Sequence, residues 1–302
     1  MERVQAPHLL SQSDPSTWAP APLSAYASLR VVGMGKAALA MAGAMDRFLG
    51  AHRPADEAPE GCVVVPEGYA ETCPEGLAPP SALDVMEGGH PLPTRKSTRA
   101  ARRMLDHAEA AGPDDLLLVL ISGGGTALST LPAADLDVTD LRTTYHRMLT
   151  AGVPVQSMNA VRKHLTRVGG GQLARAAAPA SVAAAVVSDV VGDDMSVIAS
   201  GPTVPDPTAY EDAVRVLYRH NLWHDVPRPV RTHLAEGARG KRPDTPGPDD
   251  ACFERVHTRL IGTNRMALDA AAEAAEARGY EVRRVTAWVE GEARAVGRDH
   301  VD

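Results

Sequence analysis

Gly33-Met34-Gly35-Lys36 closes a short β-rich run and opens an Ala/Met-rich segment. A glycine turn at a helix N-terminus lets backbone N–H groups approach a phosphate. Through Ala38 the segment satisfies the G-x-G-x-x-[GA] dinucleotide pattern, which also requires an acidic residue about 20 positions later to bind a ribose hydroxyl. The nearest candidate, Glu67, comes too late, and Lys36 inside the turn favours a phosphate or carboxylate over a ribose. Nor is this a Walker A loop, because Arg30 stands where its first glycine belongs and Ala37 follows the lysine.

Ser122-Gly123-Gly124-Gly125-Thr126 is the stronger signal. Three consecutive glycines after an apolar run cost conformational entropy that a plain connection does not require. Their N–H groups can form an anion-binding nest, with the Ser122 and Thr126 hydroxyls as further donors; a tight packing turn is the plain alternative.

Three further groups carry chemistry. Asn159, Arg162 and Lys163 share one helical side at i, i+3 and i+4, so an amide and two cations can face one ligand, or simply solvent. Asp189, Asp193 and Asp194 follow another apolar run, a cluster suited to Mg²⁺; Asp189 can instead accept a substrate hydroxyl proton. His90, in Glu87-Gly88-Gly89-His90-Pro91, is a minor candidate for substrate contact. Ser200-Gly201-Pro202-Thr203 reads as a rim turn without chemistry of its own.

The elements that must position these groups alternate strand, turn and helix, which predicts an α/β fold with a Rossmann-like parallel sheet. Strands are expected at Leu29–Val32, Cys62–Val65, Leu83–Met86, Leu116–Ile121 and Ser181–Val187. Helices are expected at Ala37–Leu49, Thr94–Ala111 (capped by Thr94 or Ser97), Thr139–Thr150, Asn159 to about Ala177 with a bend at Gly169–Gly171, and Tyr210–His220. Glu67–Ser81 reads as a loop. The uninterrupted apolar run Leu116–Ile121 fits a strand covered on both faces. Residues 1–28 form a variable segment, 29–240 the first domain and 241–257 a Pro/Gly-rich linker. At 258–302 a second α/β unit begins, with strands at Thr258–Ile261 and Glu281–Thr286, a helix at Arg265–Arg278 and another from near Gly291.

Composition narrows the function classes. Lys and Arg total 31 against 38 Asp and Glu, a formal charge of −7, which provides no general field for nucleic acid or anionic lipid. The three cysteines, Cys62, Cys73 and Cys252, lack zinc-ligand spacing and suit a reducing cytoplasm as packing residues. Charged residues and prolines interrupt the first 28 positions, so no secretory leader is expected, and no apolar run approaches a membrane span.

The blocks GMGKAALAM, EGGHPLPT, LISGGGTALSTLP, MNAVRKHLTRVGGGQLA and VVSDVVGDDMSVIASGPTVPDP, in this order, resemble the class II glycerate 2-kinase family, whose second half is the MOFRL domain. The resemblance runs from about Val31 to the end. It implies transfer of the ATP γ-phosphoryl group to the 2-hydroxyl of D-glycerate with Mg²⁺, in a cleft between two domains. It also assigns Lys36 to the active site, matches Ser122–Gly125 to the family's glycine loop, and matches Asp189, Asp193 and Asp194 to its acidic turn. Lys36 and Lys163 are expected to meet phosphate or glycerate-carboxylate charge, and Asn159 to orient. The site residues are thus Lys36 and Asp189, with Gly33, Gly35, His90, Ser122, Gly123, Gly124, Gly125, Thr126, Asn159, Arg162 and Lys163 binding substrate or nucleotide. A homodimer is compatible with the sequence.

Family members continue into motifs that do not follow Asp302 here, so the isolated chain is expected to be impaired as a kinase. Two rival readings stand. An NAD(P)H-dependent hydroxypyruvate reductase is a label members of this family often carry, and a non-catalytic nucleotide-binding fragment is the other. No histidine with a carboxylate orienter stands out for hydride chemistry.

Overall fold

The structure, a computed structural model, describes residues 21–52, 58–70, 81–289 and 291–299. Most of the 1–28 segment, positions 71–80 of the expected Glu67–Ser81 loop, and Cys73 lie outside the described residues.

Six strands form one sheet: β1 (Leu29–Met34), β2 (Glu60–Pro66), β3 (Asp84–Gly88), β4 (Leu116–Ile121), β5 (Ser181–Val187) and β6 (Val256–Gly262). Their order is β3-β2-β1-β4-β5-β6, and every neighbouring pair is parallel. The chain therefore winds outward from β1 in one direction and resumes at β4 in the other. The register pairs Met34 with Ile121 and Ile121 with Val186, so the carboxyl ends of β1, β4 and β5 lie side by side. That reversal point is where ligands bind in open α/β sheets.

Period-2 alternation divides the core between the sheet's two faces. Val31, Val63, Leu118 and Leu120 pack with Met41, Met45 and Leu49 of α1 (Ala38–His52). Val32, Val64, Val119 and Ile121 pack on the other face with Met104 and Leu105 of α2 (Arg95–Glu109). All six residues of β4 are buried, as its unbroken apolar run predicts. Each such side chain contributes about 1.5–3 kcal/mol relative to exposure. α2 begins after Thr94, whose N–H donates to Ser97 Oγ at 3.1 Å.

After a single turn, α3 (Gly125–Leu128), a separate helical layer is built from α4 (Val138–Thr150), α5 (Val155–Leu165), α7 (Tyr210–Arg219) and α8 (Arg228–Gly237). The helix expected over Asn159–Ala177 is two helices, α5 and α6 (Gln172–Ala177). Between them Gly170 and Gly171 take positive φ, and Gln172 Nε2 donates to the Thr166 and Gly169 carbonyls, which fixes a turn where a bend was expected.

The tract 241–257, read as a linker, is tied to this body. Arg242 pairs with Asp135 and Glu236, and Asp244 accepts from His164 Nε2 at 2.8 Å. The strand after it, β6, adds to the edge of the same sheet against β5, so the sheet continues across those positions. α9 (Asn264–Glu276) follows, with Thr263 Oγ1 accepting from the Met266 N–H. Residues 281–286, expected as a strand, have no strand partner and are irregular. A last helix, α10, covers Ala293–Asp299. Among the described residues no helix is long and apolar enough to cross a membrane.

Candidate active site

The two glycine turns emerge next to each other at the carboxyl edge and bond directly. Lys36 N–H donates to the Gly123 carbonyl at 3.0 Å, and Ala37 N–H donates to Ser122 Oγ at 3.0 Å. Gly35, at φ +124°, comes so close to Ser122 that a Cβ there would collide with its backbone. Gly33 lies inside β1, packed on Val63. The first turn thus gives its helix-terminal donors to the second turn. With the Gly35 N–H bonded as well, to the Val64 carbonyl at 3.1 Å, this corrects the expectation that Gly33 and Gly35 cradle a phosphate. Ser122 is 2% exposed and serves this junction.

The second turn keeps its donors. Neither the Gly123 nor the Gly124 N–H has an acceptor among the described residues. Gly124, at φ +87°, is left-handed, and a Cβ on it would lie 3.1 Å from His90 Cδ2 and 3.4 Å from Lys36 Cε. The space a Cβ on Gly123 would need is taken by the Asp189 carboxylate. A methyl there would have to displace the Asp189 side chain, which is exposed.

Around these groups lies a cavity of about 380 Å³, lined among others by His90, Gly124, Thr126, Tyr145, Asn159, Arg162 and Asp189. Lys36 is exposed beside it and makes no ion pair among the described residues. Partial burial, helped by the Lys36 charge and opposed by Asp189, lowers the pKa of the largely exposed His90 imidazole. A second cavity, of about 360 Å³, lies at the amino ends of β4 and β5 beside Tyr26, Asp114 and Ser181, away from the glycine turns.

Arg162 projects from α5 with its guanidinium carbon 5.1 Å from the Tyr145 ring centre. Its Nη1 reaches Asn159 Oδ1 at 3.4 Å, while its Nε and the Tyr145 hydroxyl are buried without partners among the described residues. Burial pulls the Arg162 pKa down, as expected of a charge that has left water without a counter-ion. Asn159, 2% exposed, donates to the Val197 carbonyl at 2.9 Å and so ties α5 to the 197–200 loop.

Lys163 does not join this group. It is 3% exposed and paired with the buried Asp206 at 3.1 Å, on the side of α5 away from the cavity lining. One helical step separates it from Arg162, and Asp206 claims it. The three aspartates also separate: Asp194 accepts from the Ser196 N–H at 2.8 Å, Asp193 takes φ +56° in the same turn, and Asp189 alone reaches the cavity. Among the described residues no three His, Cys, Asp or Glu side chains gather as a metal site. Burial pushes the Cys62 thiol up to about 12, which makes it a packing residue.

Residues 2–235 match the family described as Domain of unknown function (DUF4147), well over half of the chain. The chain belongs to the DUF4147 family. It is 36% identical over 267 residues to the glycerate 2-kinase of Pyrococcus horikoshii, covering 88% of this chain and 57% of that one. It is 40% identical over 268 residues to an Agrobacterium vitis protein provisionally named a hydroxypyruvate reductase, covering 89% and 56%. The crystal structure of a Thermotoga maritima glycerate kinase superposes with a TM-score of 0.79 at 29% identity, over 99% of this chain and 65% of that one. The DUF4147 chain spans little more than half the length of the two sequence relatives.

Two residues of this DUF4147 chain escaped the sequence reading. Tyr145 lines the cavity, yet its position in α4 gives the signal of an ordinary core residue. Ser200 hydrogen-bonds Thr126 and Asn159, and only its place in Ser200-Gly201-Pro202 marked it as part of a turn.

Proposed function

We propose that this chain carries the phosphate and acceptor wall of an ATP-dependent glycerate 2-kinase. The N–H groups of Gly123 and Gly124, without an acceptor among the described residues, with the Lys36 side chain close to Gly124, are the observation that carries this reading. Phosphoryl transfer needs little covalent help and depends on positioning and charge neutralisation. Two preorganised N–H donors and one unpaired cation supply both. Arg162, which pairs with no carboxylate among the described residues, suits the acceptor's carboxylate, and the kinase names of the relatives support glycerate as that acceptor.

In the transfer, the C2 hydroxyl oxygen of glycerate bonds to the γ-phosphorus, the bond to the β,γ-bridging oxygen breaks, and ADP leaves. Asp189 stands at the junction of cradle and cavity, where it would accept the hydroxyl proton or hold a metal ion. Mg²⁺ is bound through one or two carboxylates plus substrate phosphates and waters, a set that one aspartate fits; when bound it would neutralise phosphoryl charge. His90 would hydrogen-bond a phosphate oxygen or the acceptor.

The reductase reading loses its support at the first turn, because Ser122 and Gly123 occupy the donors a pyrophosphate would use. Calorimetric titration with MgATP, D-glycerate and NADH, with ADP release followed in the same samples, tests the assignment. Binding of MgATP and glycerate is expected. Binding of NADH in place of ATP would overturn it.

A further inference from the structure

Ala199, Ser200 and Gly201 hold three consecutive left-handed conformations, with φ of 49°, 62° and 59°. For a residue with a Cβ this region is disfavoured by contact with the following carbonyl, and it persists only where the surroundings impose it. Here Gly170 and Gly171 donate their N–H groups to the Ser200 and Gly201 carbonyls at 2.7 and 2.8 Å. A Cβ on Gly169 would lie 3.1 Å from that of Ser200.

The imposed backbone aims one hydroxyl. Ser200, 1% exposed, has its Oγ 2.9 Å from Thr126 Oγ1 and 3.2 Å from Asn159 Oδ1. An amide oxygen only accepts, so Ser200 donates to Asn159 and Thr126 donates to Ser200. The same Asn159 oxygen receives Arg162 Nη1. A continuous polar path therefore runs from the glycine turn through Ser200 to the guanidinium over Tyr145.

We propose that Ser200 is a positioning residue: its hydroxyl, aimed by the left-handed backbone, fixes Asn159 and through it holds Arg162 to receive the carboxylate of the acceptor, in register with the Gly123–Gly124 cradle. The substrate half of this proposal rests on the glycerate kinase reading above. A serine kept only to close the turn at Gly169–Gly171 would be replaceable by glycine, which adopts positive φ without strain.

Two variants of the full chain separate these roles. Ser200→Ala keeps the Cβ and loses the hydroxyl, whereas Ser200→Gly loses both and relieves the backbone, so it remains the test if the alanine variant fails to fold. In ligand-free protein, the Arg162 Nε–H resonance, assigned by its loss in Arg162→Lys, reports the stacking on Tyr145. It is expected to be ring-current shifted, and to move toward the exposed-arginine position in both variants while Ser200→Gly melts no lower than Ser200→Ala. An unmoved resonance in both overturns the proposal.

D-glycerate affinity is expected to weaken about fivefold in both variants, a loss on the scale of one net hydrogen bond, with ATP affinity unchanged. Undiminished glycerate affinity in both would overturn the link to the acceptor. A wild-type chain that binds no glycerate, but whose Arg162 resonance responds to Ser200→Gly, would overturn the substrate reading and uphold the positioning role.

Discussion

The Lys36 amide donates to the Gly123 carbonyl at 3.0 Å, which makes the two glycine turns a single unit with divided labour. The β1 turn braces and presents a lysine side chain. The β4 turn, held by that brace, keeps the Gly123 and Gly124 N–H groups without an acceptor among the described residues.

Gly123→Ala is expected to push the exposed Asp189 carboxylate aside, because its methyl would enter that space. An exposed side chain can yield to the methyl, so the loss should be no more than about 0.5 kcal/mol, visible as a slightly lowered Tm, while ATP affinity falls as Asp189 is displaced. Adding Asp189→Ala should restore part of the Tm, a non-additivity expected of residues in contact. Purely additive losses would show that the two turns do not press on each other.

Lys36→Ala should separate binding from stability. The side chain is exposed and unpaired among the described residues, so unfolding should change by no more than about 0.5 kcal/mol. Loss of a charge-assisted contact of about 1.5–3 kcal/mol corresponds to roughly 10- to 100-fold weaker MgATP binding by calorimetry.

Lys163→Met should behave in the opposite way. Its removal leaves the buried Asp206 without its cation, a change that costs about 3–5 kcal/mol. Chemical denaturation should show that loss, while the folded fraction binds MgATP and glycerate as before.

His107 gives a pH dependence independent of the site. It is 5% exposed, its Nε2 has no partner among the described residues, and burial together with Arg103 and Arg30 holds its pKa below 6.5. The unfolded chain then binds the proton more readily, so stability is fully present above about 6.5 and is lost as pH falls toward the folded-state value. Tm measured across this range should fall with acidity, and His107→Gln should flatten the fall.

The fold was legible where one segment suffices to specify it. The apolar run Leu116–Ile121 and the β-rich Ser181–Val187 form strands with those bounds, and parallel strands necessarily deliver their turns to one edge. What the sequence hid depends on partners far along the chain. Lys163 shares a helical side with Arg162 by spacing, but Asp206, 43 residues later, turns it inward. Asp193 and Asp194 look like ligands by proximity, yet a local turn consumes Asp194. The stretch 281–286 has strand composition, but a strand exists only beside a neighbour, and among the described residues β6 pairs with β5 alone. The Gly33–Ala38 pattern matched in letters while Ser122 and Gly123 took up its donors.

The central claim is that the β4 turn, and not the β1 turn, holds the phosphate. Amide ¹H–¹⁵N spectra of the chain titrated with MgATP test it most directly. The Gly123 and Gly124 resonances should move downfield at saturation, while Gly35 and Ala37, already bonded within the protein, stay in place. Movement of Gly35 and Ala37 with Gly123 and Gly124 unchanged would contradict the account.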